Sequence, residues 1–124
     1  MDNDFYIANI EEETLKNENF RKVLFTGPKS QLVVMTIQPG DDIGAEIHED
    51  HDQFIRIESG IALVIIDGIE KRVEDDWAIV IPAGAEHNIV NRSETEVLKL
   101  YTIYSPPEHK DGTIHDTKEA ADQE

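Results

Sequence analysis

Glu46 and His48 stand two residues apart within the stretch GDDIGAEIHEDHDQFIRIESG, which runs from Gly40 to Gly60. On a β-strand, residues i and i+2 project from one face, so a carboxylate and an imidazole at this spacing can converge on one cation. A charged corner at residues 49–52 follows, and Gln53 then opens the run FIRIE, adding an oxygen donor where the chain turns back. A further imidazole, His87, lies downstream in PAGAEHNIVN, behind a turn at Pro82 and Gly84. Taken singly, each group has a plainer reading: solvated side chains on an edge strand, a hydrated acidic turn, a histidine bonding to backbone. Taken together with the flanking glycines and prolines, they predict a divalent metal ion held inside a small β-barrel by Glu46, His48, Gln53 and His87. His51 is a less well placed substitute, because it sits in the turn.

The elements that must position these groups are strands. FRKVLFT alternates in part, Gly27-Pro28 marks a turn, and QLVVMTIQ is a β-branched run ended by Pro39-Gly40. IALVIIDG and WAIVIP are apolar on both faces, as strands buried between two layers should be. Asp67-Gly68 is a favoured hairpin turn, and IEKRVE, HNIVN and VLKLYTIY complete a set of eight to ten short strands. Turns at this spacing predict an all-β sandwich or barrel of the jelly-roll type. With Gln53 inward, Ile55 and Ile57 share its face, while Phe54, Arg56 and Glu58 face the other way and require cover. Trp77 reads as a packing residue rather than a cofactor platform. Tyr101 and Tyr104 differ in parity, so one of them faces the interior.

The sequence divides into an N-terminal extension over residues 1–19, a barrel over 20–104 and a polar tail over 105–124. In the extension, residues 10–17 predict one or two helical turns with Asn9 as N-cap, and residues 4–8 can add a strand or pack on a second copy. In the tail, Pro106-Pro107 stops the last strand and polar residues dominate. The plain reading is a solubilising tail. The sharper one lays His109 or His115 against the barrel mouth, where those histidines, with His51, Tyr101 or Tyr104, would border the metal ligands.

The two metal-bearing stretches resemble the cupin superfamily. The first motif of that family runs glycine, His-x-His, Glu, glycine, and its positions are taken here by Gly40, Glu46, His48, Gln53 and Gly60 with every spacing kept. The second runs glycine, Pro-x-Gly, His, Asn, and is matched by Asp76, Pro82, Gly84, His87 and Asn91. The resemblance covers roughly residues 32–104. It implies a double-stranded β-helix, a divalent ion such as zinc, manganese, iron or nickel, and a homodimer. Three positions depart: Glu46 for His, Gln53 for Glu and Asp76 for Gly. The first two compensate, since three neutral ligands and one carboxylate remain with the charge moved to Glu46. Asp76 asks for φ > 0, which Asp tolerates better than most residues.

At 124 residues the chain is one domain with room for a core. It carries 27 acidic against 11 basic residues, a net charge of −16. That field repels nucleic-acid phosphates and anionic membranes. There is no cysteine, hence no disulfide framework, thiolate metal site or redox thiol. MDNDFYIANIEEE has neither the basic nor the apolar region of a signal peptide, and no run approaches a membrane span; a cytoplasmic protein is expected. No nucleophile triad or phosphate-cradling glycine loop appears. Three chemistries stay open for a small-molecule ligand. The first is metal-assisted isomerisation, epimerisation or lyase chemistry on a sugar or keto/enediol substrate. The second is an iron or manganese dioxygenase, and the third a non-catalytic binding or sensing module.

Overall fold

The computed structural model describes residues 5–123. Asn9 caps the first helix, α1 (Ile10–Lys16), by accepting the Glu12 N–H at 3.0 Å. Ten strands follow: β1 (Arg21–Thr26), β2 (Gln31–Ile37), β3 (Glu46–Ile47), β4 (Asp52–Ser59), β5 (Ala62–Ile66), β6 (Ile69–Val73), β7 (Ala78–Ile81), β8 (Glu86–Asn91), β9 (Leu98–Ser105) and β10 (Ile114–His115). A short helix, α2 (Lys118–Asp122), ends the described chain. All pairings are antiparallel and form a six-stranded sheet, β10-β1-β2-β9-β4-β7, and a four-stranded sheet, β3-β8-β5-β6.

The inner faces of the two sheets meet in one core. Alternation along β2, β4 and β9 buries Val33, Met35, Ile37, Ile55, Ile57, Leu98 and Leu100, which face Val64, Val73 and Ile89 of the smaller sheet. Gln53, Ile55 and Ile57 share the inner face, as their parity requires. The outer face of the larger sheet is partly covered by α1, which packs against β2, β4 and β9. Phe54 meets Tyr101 there, their ring centroids 6.1 Å apart.

Two turns carry the backbone strain that the sequence asks for. Asp67 (φ 49°) and Gly68 (φ 82°) both take left-handed conformations between β5 and β6, the geometry of a type I′ hairpin. Asp76 also lies at φ 73°, so the position that the resemblance gives to glycine does turn left-handed, with Asp76 bonded through Oδ1 to Arg56.

Three expectations are corrected. β5 and β7 are not buried on both faces: Leu63 and Ile65 are half-buried, and Val80 on the edge strand β7 is 69% exposed. A two-layer fold buries one face of each sheet, and only part of the other face receives a helix. The segment read as a polar tail is built into the fold, since β10 pairs with β1 and Ala121 of α2 packs on the core. Residues 5–8 form no strand, and Asp4 lies outside the described residues. Tyr6 nevertheless stacks on Phe25 at 5.9 Å. No helix among the described residues is long and apolar enough to cross a membrane.

Candidate metal centre

The Pro82–Gly84 turn carries the chain from β7 in one sheet to β8 in the other. Gly84 takes φ +90°, and its N–H donates to the His48 carbonyl at 2.9 Å. Ala83 N–H donates to Asp52 Oδ1 at 2.9 Å. These bonds hold the second motif against the first. β3 then pairs with β8 so that Glu46 lies opposite His87, and His48 follows directly. One ligand atom each from Glu46, His48 and His87 lies within 4.8 Å of the others. The rings of His48 and His87 stand 5.4 Å apart.

Hydrogen bonds fix which atoms face the interior. His87 Nδ1 lies 3.2 Å from the Ala85 carbonyl, which can only accept, so Nδ1 carries the proton and the buried Nε2 presents a lone pair. Gln53 donates through Nε2 to Thr102 Oγ1 at 3.0 Å, leaving its buried Oε1 without a partner. His48 Nε2 is likewise buried and unpartnered, 3.6 Å from Glu46 Oε1, a contact too long for a hydrogen bond. Distances bring Glu46, His48 and His87 together; Gln53 joins them by burial and register, inward on β4 beside Tyr104.

Charge follows this geometry. Burial pushes the pKa of the Glu46 carboxyl up, but contact with His48, helped by Arg21 and His87, outweighs it and holds the pKa below the ordinary carboxylate value. Contact with Glu46 raises His48 above the usual imidazole value, against the effect of burial.

The remaining expected residues divide. Tyr104 is buried, with its ring 5.8 Å from His48 and 5.2 Å from His109. Burial raises its hydroxyl pKa far above the ordinary value, so it stays an O–H. His109 borders the site through Tyr104, and burial, reinforced by Arg21, pushes its pKa down to about 4. His51 Nε2 lies 3.0 Å from the Pro107 carbonyl and 3.3 Å from Glu108 Oε1. Tyr101 faces outward onto Phe54, on the side of the sheet away from Gln53. His115 stands behind Arg21, its Nδ1 3.3 Å from Nη1.

Sequence reasoning missed three residues. Arg21 shares the buried inner face of β1 with Val23, and a charged residue on an inward strand position was the available signal. Glu108 brings a carboxylate from the C-terminal segment to 3.7 Å from His48 Nδ1, making a second grouping with His48 and His51. Its neighbour His109 had drawn the attention instead. Gln31 holds that segment through its amide, for which no signal existed.

Two facing antiparallel sheets with imidazole, amide and carboxylate groups at one end of their interior define a double-stranded β-helix, or jelly roll, with residues that could hold a metal ion. The chain belongs to the cupin family: the cupin domain matches residues 33–104. It is 49% identical over 116 residues to a protein of Acanthamoeba polyphaga mimivirus, covering 90% of this chain and 72% of that one. It is 44% identical over 119 residues to YrkC of Bacillus subtilis, covering 91% of this chain and 63% of that one. The crystal structure of BH2720 from Bacillus halodurans matches at a TM-score of 0.93 and 46% identity, covering 96% of this chain and 94% of that one.

Proposed function

We propose that this cupin binds one divalent transition-metal ion through Glu46, His48, Gln53 and His87. It would use that ion on a small oxygen-bearing molecule, of the sugar or keto/enediol class, in an isomerisation, epimerisation or lyase step. One observation carries the reading: the buried His48 Nε2, Gln53 Oε1 and His87 Nε2 all lack a partner, and a carboxylate joins them. Buried polar atoms are almost always satisfied, and His87 Nε2 and Gln53 Oε1 can only accept. A cluster of acceptors is completed by a cation. Neutral nitrogen, amide oxygen and one carboxylate suit a zinc-, manganese-, iron- or nickel-like ion. Glu108 sets a carboxylate 3.7 Å from His48 Nδ1, on the side from which an outer carboxylate commonly orients a ligating imidazole, a slight closing of that gap being needed for the hydrogen bond.

An ion in this set would polarise a carbonyl or enediolate oxygen. The other tasks fall to the chain. Tyr104 keeps its proton at neutral pH and can donate a hydrogen bond to a substrate oxygen. His109, neutral above about pH 4, offers an uncharged imidazole on the same side, its Nε2 buried and unpartnered. Ile55, Ile57 and Ile81 close the floor against water. We also read the protein as a homodimer, with the second copy covering the exposed Trp77 and Val80.

A ligand-binding module without turnover is the second reading, favoured by the segment from Pro107 to His109. It lies across His51 and reaches His48, closing the mouth on that side. Elemental analysis of the purified protein tests the common core of both readings. About one transition-metal ion per chain, lost in His87→Ala, is the expected result; a metal-free protein that takes up none on dialysis would overturn it. Turnover of aldoses, ketoses or keto acids then selects the first reading, saturable binding without turnover the second. Oxygen uptake would instead place the chain among dioxygenases.

A further inference from the structure

Arg21 is a permanently charged guanidinium inside an otherwise acidic protein. It is 7% exposed, on the inner face of β1, opposite Met35 on one side and His115 on the other. Its Nη1 lies 3.3 Å from His115 Nδ1, and its charge sits 5.2 Å from the Phe20 ring centroid. Neither neighbour is an anion. Its Nε is buried and has no hydrogen-bond partner. Among the described residues none of the ion pairs involves Arg21. A buried cation without a counter-ion costs several kcal/mol, and such a group persists where an anion completes it.

The surroundings say where that anion would sit. Arg21 is buried on the inner face of β1, and its charge reaches Tyr104, whose ring lies 5.8 Å from His48, as well as Glu46, His48 and His109, which sets it toward the metal end of the barrel. Glu46 is a carboxylate that this charge reaches, but it is also the one carboxylate of the acceptor cluster. One part of the interior therefore presents acceptors that call for a cation, and another presents a donor-only guanidinium. His109 Nε2, also buried and unpartnered, joins the cluster through Tyr104, whose ring lies 5.2 Å from that of His109 and 5.8 Å from that of His48.

We infer that Arg21 holds the carboxylate of the ligand, and that the ligand class is a small 2-oxo or 2-hydroxy acid. The planar fork of Arg matches a carboxylate, which would take up the unpartnered Nε–H. The oxygen on the adjacent carbon would be free to reach the acceptor cluster through its ion. That second contact rests on the metal reading above; the Arg21 contact does not.

Titration calorimetry of the wild-type protein with pyruvate and with its uncharged amide, pyruvamide, tests this in metal-loaded and metal-stripped protein. Pyruvate should bind saturably, and pyruvamide about 30-fold more weakly, as expected for loss of a charge-assisted pair. Arg21→Met should lose a similar factor for pyruvate while retaining wild-type metal content, and Arg21→Lys should recover part of it. Equal binding of pyruvate and pyruvamide by the wild type would overturn the inference even if Arg21→Met does not fold, as would no saturation with pyruvate. A protein that holds no metal but still prefers pyruvate through Arg21 would sink the metal reading and leave this one standing.

Discussion

Gln31 grips the backbone of His109 with both ends of its amide. Nε2 donates to the His109 carbonyl at 2.7 Å, and Oε1 accepts the His109 N–H at 2.9 Å and the Glu108 N–H at 3.2 Å. Gln31 is 1% exposed, so these bonds are made away from solvent. Gln31→Leu keeps the volume and removes every one of them. It should lower stability by about 1–3 kcal/mol and raise amide exchange in residues 107–113. Unchanged exchange in that segment, measured by mass spectrometry, would show that the clamp is not what holds it.

Glu46 is the only anion of the proposed ligand set, whereas Gln53 contributes a neutral amide. Glu46→Gln should therefore weaken metal binding roughly 100-fold, and Gln53→Ala much less, because an amide stabilises a divalent cation far less than a carboxylate does. Occupancy of the two variants and the wild type, compared at limiting metal, checks the order. Equal occupancy in wild type and Glu46→Gln would contradict it.

Gly60 and Gly68 both adopt positive φ, but their surroundings differ. A Cβ on Gly60 would sit 3.0 Å from the Val97 carbonyl oxygen and 3.2 Å from Leu98 Cα, whereas one on Gly68 would meet open space. Gly60→Ala should cost about 2–4 kcal/mol, from backbone strain plus the clash, and Gly68→Ala about 1 kcal/mol, from strain. Thermal unfolding of the two variants side by side should separate them clearly. Similar midpoints would mean that the β9 backbone yields without cost.

Trp77, 44% exposed, and Val80, 69% exposed, border an apolar groove with Val64, Ile66 and Ile79 at the edge of the larger sheet. If a second copy covers this groove, Val80→Lys should shift the sedimentation of a dimer toward monomer while leaving metal content unchanged. A wild type that sediments as a monomer at high micromolar concentration would rule the dimer out.

Local rules made the larger part of this fold legible. The Asn9 cap, the Asp67-Gly68 hairpin and the inward parity of Gln53, Ile55 and Ile57 each follow from a few adjacent residues. Glu46, His48 and His87 were legible as a group because the turn at Pro82 and Gly84 sets β8 against β3. What stayed hidden depends on distant partners. Nothing near Glu108 in sequence announces His48 or His51, and the polar run after Ser105 lacks the apolar period that would mark β10. The two-sided apolar runs misled in the opposite direction. Val80 faces outward on an edge strand, and composition cannot tell a covered face from a bare one.

The pairing of Arg21 with His115 spans 94 residues. During synthesis, β1 waits with an unpaired outer edge until residues 114–115 have emerged. The strands from β2 to β9 pair among themselves sooner, since closing a shorter loop costs less entropy. Among the described strands β10 is therefore the last to dock, and it covers an edge that would otherwise be open to pairing with other chains. A ribosome-stalled fragment ending before Ile114 should be an aggregation-prone form of this protein, and the Arg21 side chain would gain its histidine neighbour only when β10 docks.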